Sequence, residues 1–240
     1  MSIINIKGRV MEYEYYYNHV PGEKPWRNNL IYTSLISKDK KTFVQWYHND
    51  SEYHQGQNEV VDQTLMDEKW SREITFLTLM SKTNPELVPE ILDVDYYNKK
   101  VYLKIDGVDF WQRHFDQNCT FDDVLPDWRD QMLRIIQAHK DLDIYKYSMH
   151  PSSYFVIDGK LKHINYFFTY NGFEKPITIN SFLSHISYTR RVELQKQSQS
   201  LGISWDTPTP FRDIQILCFE SFSNNYPRDF IERAKDIYRV

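Results

Sequence analysis

The sequence predicts an α+β protein in two parts, a small antiparallel sheet with one helix followed by a part that is mainly helical. Runs rich in β-branched and aromatic residues, separated by polar turns, occupy most of the first hundred positions. Apolar residues at helical spacing dominate the remainder of the chain. The change follows Asp106-Gly107, so we predict a first part over residues 1–106 and a second over residues 107–240.

The first part contains five predicted strands and one predicted helix. The helix covers about residues 66–82, because apolar side chains recur there every three or four positions until Asn84-Pro85 ends the pattern. The last two strands form a hairpin closed around Asn98-Lys99. The predicted strands cover residues 10–17, 30–37, 42–47, 91–96 and 101–105.

The second part is predicted to contain four helices and one hairpin. An apolar stripe that includes Trp128, Met132 and Ile136 defines the first helix. The hairpin covers residues 144–168 and lies between the first and second helices. The predicted helices cover about residues 127–140, 181–198, 211–223 and 227–238.

Composition excludes several classes of protein. Of the 240 residues, 41% are hydrophobic and an unusually high 16% are aromatic, which indicates a globular chain and not a disordered one. The formal net charge of −4 gives no general attraction to nucleic acid or to an anionic membrane, so we expect neither as a partner. The histidines form no H-E-x-x-H pattern, and we therefore predict no metal site.

The cysteines and the N-terminus predict a cytoplasmic protein. Cys119 and Cys218 lie far apart without C-x-x-C spacing, which is typical of reduced thiols. The first residues lack the apolar core of a signal peptide, and no apolar run approaches the roughly 20 residues that span a bilayer. Only Ala138 and Ala234 are alanines, a bias typical of an AT-rich genome such as that of a bacteriophage in its bacterial host.

The predicted hairpin carries the most informative pattern in the chain. It reads D-I-Y-K-Y-S-M-H-P-S-S-Y-F-V over residues 143–156 and D-G-K-L-K-H-I-N-Y-F over residues 158–167. This pattern resembles the catalytic core of the protein-kinase-like superfamily, in which an H-R-D loop is followed by a strand, a turn, a strand and D-F-G. Met149-His150-Pro151 is most similar to the H-x-D-x-H-P-x-N loop of small-molecule phosphotransferases and atypical kinases. The resemblance implies a two-lobed kinase-like fold, with the two parts above as its lobes.

The resemblance also implies that the catalytic groups have been replaced. Ser148 stands at the position of the catalytic Asp, Ser153 at that of the Asn, and Asn165 at that of the metal-binding Asp. Trp46 occupies the position expected for the strand lysine, whereas Glu73 retains the helix glutamate. We therefore expect no intact catalytic residue, no metal and no cofactor, since these replacements remove the charges that phosphoryl transfer uses.

Other residues expected near such a site give no phosphate cradle. The loop at residues 19–26 has a single glycine, Gly22, with a proline on each side, and proline removes backbone N–H donors. The remaining candidates for lining a pocket are Val44, Asp106 and His150.

The sequence is compatible with three functions. The first, which we favour, is a pseudokinase that binds, scaffolds or regulates another protein and is not an enzyme. An alternative is an unorthodox phosphotransferase or nucleotidyltransferase that uses ATP and Mg²⁺ with relocated carboxylates, for which Asp143, Asp158 and Asp106 are candidates. In that case Lys41 or Lys104 would replace the missing lysine. A third function is that of a structural component in a larger assembly.

Overall fold

The structure is a computed structural model with a mixed α+β architecture and small antiparallel sheets, as the sequence predicts. It divides into two compact units, the first comprising Met1–Trp128 with Tyr154–Phe167, and the second Arg129–Ser153 with Phe168–Val240. The structure describes residues 2–6, 9–16, 32–48, 63–111, 119–146, 149–166, 169–179, 196, 198–200 and 202–239.

This division differs from the boundary predicted between residues 106 and 107. The first unit continues to Trp128 and also takes in residues 154–167. The physical reason is strand pairing, because Gly107 to Asp109 pair with Ile157 to Phe155 in antiparallel register. The predicted hairpin at residues 144–168 is consequently shared between the two units.

The first unit contains a six-stranded antiparallel sheet with the strand order β1-β2-β3-β4-β6-β5. The five predicted strands are confirmed, and β1 is an additional edge strand that the sequence reading missed. Its isoleucines are interrupted by the polar Asn5, which hides the short apolar run. The strands are β1 Ser2–Ile6, β2 Arg9–Tyr15, β3 Tyr32–Ser37, β4 Thr42–Tyr47, β5 Ile91–Asp95 and β6 Lys100–Lys104.

The predicted helix and hairpin of this unit are confirmed. Helix α1 spans Gln63–Thr83, and Pro85 begins a 3₁₀ turn directly after it. Proline cannot donate the next helical hydrogen bond, which explains the end of the helix. Between β5 and β6, the Asp95 carboxylate accepts hydrogen bonds from the Asn98 backbone N–H at 2.9 Å and side-chain Nδ2 at 2.7 Å, which fixes the turn.

A three-stranded sheet with the order β10-β9-β7 completes the described part of the first unit. Strand β7 is Gly107–Asp109, β9 is Tyr154–Ile157 and β10 is Lys160–His163. The short helix α2, Phe121–Val124, follows β7 in the chain. A Cβ atom at Gly107 would lie 2.2 Å from the Val156 carbonyl oxygen, so the approach of β7 to β9 requires glycine.

The described part of the second unit includes two strand pairs and three helices with defined bounds. Strand β8 pairs with β11 and β12 with β13, all antiparallel, and β11 to β13 were not predicted. The predicted helices at 127–140, 211–223 and 227–238 are confirmed, whereas the one at 181–198 lies almost wholly outside the described residues. The elements are α3 Trp128–Asp141, β8 Ile144–Lys146, β11 Thr169–Asn171, β12 Ile177–Thr178, β13 Pro208–Thr209, α4 Phe211–Glu220 and α5 Arg228–Arg239.

None of the described helices combines the length and the apolar character needed to cross a bilayer.

Candidate functional site

Glu73 lies at the centre of the candidate site in the first unit. It occupies the middle of α1 and is completely buried, although the same helix face carries the apolar Trp70, Leu77 and Met80. Its Oε2 atom accepts a hydrogen bond from the Tyr47 hydroxyl at 3.0 Å and another from the Tyr166 backbone N–H at 2.7 Å. One carboxylate therefore joins β4, α1 and the segment that follows β10.

The strand residue that faces Glu73 is Tyr47 and not Trp46. Successive side chains of a strand point to opposite faces, so moving the alignment by one residue exchanges the face. Tyr47 packs against Trp70 of α1 with ring centroids 5.5 Å apart. Trp46 instead contacts His48 at 4.4 Å between centroids and lies beneath the Lys100 ammonium group, 4.6 Å from the ring centroid. Burial lowers the pKa of Lys100, an effect that Asp95 partly opposes.

Val44, predicted as a pocket residue, packs on the face that Trp46 shares. It is fully buried in an apolar cluster with Tyr13, Leu35 and Tyr102. Its role in the described structure is therefore core packing.

Asn165 and Tyr166 stand where the resemblance places the metal ligand and its neighbour. Asn165 is half-buried, whereas Tyr166 is completely buried. Burial, together with the neighbouring Tyr154 and Glu73, raises the pKa of the Tyr166 hydroxyl well above its ordinary value. His163 lies between two of these rings, 4.9 Å from Tyr154 and 4.5 Å from Tyr166 between centroids. Tyr166, the residue after Asn165, therefore packs among aromatic rings.

In the second unit, the loop that resembles a catalytic loop is held by hydrogen bonds within it and by one from the Tyr226 hydroxyl to the Met149 carbonyl at 2.7 Å. Ser148 lies outside the described residues. His150 Nδ1 accepts the Ser152 backbone N–H at 3.2 Å and lies 2.8 Å from the Ser152 hydroxyl oxygen. Ser153 is buried, and its backbone N–H donates to the His150 carbonyl at 2.9 Å. These contacts give His150 and Ser153 a structural role in the 3₁₀ turn Pro151–Ser153.

The three carboxylates proposed as relocated catalytic groups are Asp106, Asp158 and Asp143, and each lies in a turn or a connection between elements. Asp106 is exposed, and one of its oxygens is 3.7 Å from the Lys41 ammonium nitrogen. Asp158 is exposed in the turn between β9 and β10. Asp143, in the second unit, accepts a hydrogen bond from the Tyr145 hydroxyl at 2.8 Å and belongs to the connection between α3 and β8.

The sequence reading missed a lysine close to Glu73 along the helix. Lys41 and Lys104 are both exposed, and Lys104 pairs with Glu90 at 3.2 Å. Lys69 precedes Glu73 by one helical turn and is 1% exposed. A signal was available, because residues four apart on a helix share a face and this face is otherwise apolar.

An aromatic cluster, which the sequence reading also missed, joins the large sheet to the β7–β9 pair. Tyr16, Phe43 and Phe155 have ring centroids between 5.3 and 5.9 Å apart. The Tyr16 hydroxyl donates to the buried Asp109 carboxylate. Since Tyr16 and Asp109 are 93 positions apart, no local sequence pattern predicts the contact.

Comparison with known proteins assigns no family to this chain. No family model matches the sequence, and no curated protein matches it. Among the described residues, no group of three or more His, Cys, Asp or Glu side chains is arranged to hold a metal ion.

Proposed function

We propose that this chain is a kinase-like protein that has lost phosphoryl transfer and acts by binding another protein. The observation that carries the proposal is the meeting of three segments at Glu73. Tyr47 comes from the strand, Glu73 from the helix and Tyr166 from the segment that the sequence resemblance assigns to a kinase core. A carboxylate shared by these three segments supports the resemblance, and this support does not depend on the sequence pattern at residues 143–167.

The chemistry around Glu73 supports loss of phosphoryl transfer. Where the resemblance expects a lysine opposite the helix glutamate, Tyr47 supplies a hydroxyl that donates a hydrogen bond but carries no positive charge. Asn165 offers a neutral amide where a divalent cation prefers a carboxylate. Losing one electrostatic group of this kind typically costs about a hundredfold or more in rate, and several are missing here.

The aromatic cluster supports a closed interior. A planar base entering between the large sheet and β9 would have to separate Phe43 from Phe155, whose centroids are 5.7 Å apart. It would also have to break the hydrogen bond from Tyr16 to Asp109. Both changes cost binding free energy, which disfavours a nucleotide.

Exposed aromatic side chains support a protein partner. Tyr97 is 91% exposed beside Tyr96 in the fixed turn between β5 and β6, and Phe173 is 89% exposed in the turn after β11. In that second turn the Phe173 backbone N–H donates to Asn171 Oδ1 at 2.8 Å. Aromatic side chains on turns that are already fixed lose little entropy on binding.

The loss of nucleotide binding is tested by restoring two groups together, Tyr47→Lys and Asn165→Asp. We expect thermal unfolding of the natural protein to be unchanged by ATP, ADP or GTP, with or without Mg²⁺ or Mn²⁺. The restored charges should outweigh the cost of separating Phe43 from Phe155, because they attract the phosphates and the metal ion. The restored variant should therefore gain a metal-dependent rise in its midpoint, corresponding to about 2.7 kcal/mol at a ligand concentration 100-fold above Kd.

The matched control is Trp46→Lys combined with Asn165→Asp, which places the lysine on the opposite face of β4. We expect no response from this variant. A metal-dependent shift in the natural protein, or transfer of the ATP γ-phosphate by it, would refute the loss of phosphoryl transfer. Equal responses from both variants would show that Glu73 does not mark the kinase-like position.

The protein-binding part of the proposal is tested on a complex reconstituted from purified components. After a partner protein has been identified, we expect Tyr97→Ser or Phe173→Ser to lower the affinity for it about tenfold or more. Exposed aromatic side chains often supply much of the binding free energy of an interface. An affinity unchanged by both substitutions would exclude each of these turns as a binding site.

A further inference from the structure

Gln45 presents an unusual polar group on the inner face of the large sheet. It lies near the middle of β4 and is 1% exposed. Its Oε1 atom is buried and has no hydrogen-bond donor among the residues that the structure describes. A buried acceptor without a donor costs stability, because the group has given up its hydrogen bonds to water.

The neighbours of Gln45 on the sheet are buried and mostly apolar. Phe43 and Tyr47 precede and follow it on the same face of β4, and each is 1% exposed. On the adjacent strands the residues directly opposite are Ser34 and Val101. Ser34 is a buried hydroxyl residue, and opposed residues in an antiparallel pair have Cβ atoms about 5 Å apart. The two polar side chains are therefore close enough to share one small molecule.

The orientation of the Gln45 amide does not remove the need for a partner. Exchanging the positions of its oxygen and nitrogen would place N–H donors where the acceptor now lies. A water molecule can pair with the amide in either orientation, because it both donates and accepts hydrogen bonds. Water is also the smallest molecule that can both donate and accept, as an interior lined by buried side chains requires.

We propose that Gln45 and Ser34 hold an internal water molecule on the inner face of the large sheet. The water donates to Gln45 Oε1 and hydrogen-bonds with the Ser34 hydroxyl, which gives it the two polar partners that a buried water requires. The site is distinct from the Glu73 carboxylate and independent of the proposed kinase-like function. It explains why β4 carries an amide at a position enclosed by apolar neighbours.

The test is magnetic cross-relaxation between water and the Gln45 side-chain amide protons in the isotope-labelled natural protein. We expect a cross-peak of the sign that a long-lived bound water gives, and we expect Ser34→Ala to weaken or abolish it. The internal control is the exposed Gln137, whose amide bonds to Asp141 at 2.7 Å and should show only rapidly exchanging water. Absence of a long-lived water at Gln45, or a cross-peak unaffected by Ser34→Ala, would overturn the proposal.

A second measurement uses Gln45→Met, which keeps the length of the side chain but removes the amide. If the water is present, the substitution strands it, and the thermal midpoint should be no higher than that of the natural protein. If the amide is instead an unsatisfied group in a dry interior, removing it should raise the midpoint by about 3 °C or more. Such a rise would contradict the proposed water site.

Discussion

Two completely buried ionisable side chains show how single residues are accommodated. Glu73 is held as an acceptor by two donors, the Tyr47 hydroxyl and the Tyr166 backbone N–H. His139, on α3 in the second unit, is accommodated in the neutral form. Burial, with repulsion from Lys146, lowers its pKa from 6.5 to about 3. The first case requires hydrogen-bond partners, and the second requires loss of charge.

The buried imidazole makes stability depend on pH in a defined direction. Below about pH 6.5 the unfolded chain protonates His139, whereas the folded chain does not until the pH approaches about 3. The contribution of neutral His139 to the free energy of unfolding is complete above pH 6.5. It is lost progressively as the pH falls from about 6.5 to about 3. Between pH 7 and pH 5, we expect His139→Leu to reduce the loss of unfolding free energy by about 2 kcal/mol.

Urea unfolding of the natural protein and the variant at both pH values checks this expectation. Other groups titrate in the same range, so the informative quantity is the difference between the two proteins. An equal loss of unfolding free energy in both would show that His139 is protonated in the folded state at pH 5.

At the scale of elements, the contact between β7 and β9 depends on the absence of one side chain. Gly107 pairs with Ile157, and a Cβ atom there would lie 2.2 Å from the Val156 carbonyl oxygen. The same pair of strands brings Asp109 and Phe155 to the aromatic cluster. A change that separates these strands therefore also disturbs the bond from Tyr16 to Asp109.

We expect Gly107→Ala to lower the unfolding free energy by about 1–3 kcal/mol, since the backbone must shift to admit the methyl group. The matched control is Gly159→Asn in the turn between β9 and β10. Gly159 has φ of 69° and nothing within 4 Å of its added Cβ, and asparagine tolerates this conformation. Chemical denaturation compares the two, and equal stability of both variants would contradict the close approach.

Sequence patterns predicted the elements whose signals are local. The 3.6-residue repeat of α1, its stop at Asn84-Pro85 and the turn at Asn98-Lys99 all lie within a few residues. The side chain of β4 that faces Glu73 was harder to predict. Alternate residues of a strand point to opposite faces, so an alignment error of one position selects Trp46 instead of Tyr47. The contacts of Tyr16 and Tyr166 join positions 93 apart and leave no local trace. The kinase-like assignment stays a prediction.

At the scale of the whole molecule, the two units are interleaved along the chain. The first unit is completed only by residues 154–167, which follow a segment of the second unit. Phe43, Glu73 and Tyr16 all depend on partners beyond residue 106. The predicted first part over residues 1–106 therefore lacks contacts that its own interior needs.

We expect a fragment of residues 1–106 to show no cooperative unfolding, because it loses Asp109, Phe155 and the Tyr166 backbone N–H together. A fragment of residues 1–167 keeps these groups and should retain a cooperative transition. Circular dichroism during heating distinguishes them. A sharp transition in the shorter fragment at the midpoint of the longer one would contradict the dependence.

The bond between Glu73 and the Tyr166 backbone also has a consequence for synthesis of the protein. A ribosome releases α1 long before it releases Tyr166, since the two partners are 93 positions apart. During that interval Glu73 cannot form its hydrogen bond with the Tyr166 backbone N–H, because Tyr166 has not yet been synthesised. The first unit therefore completes its folding late in translation, after Arg129–Ser153 of the second unit has already emerged.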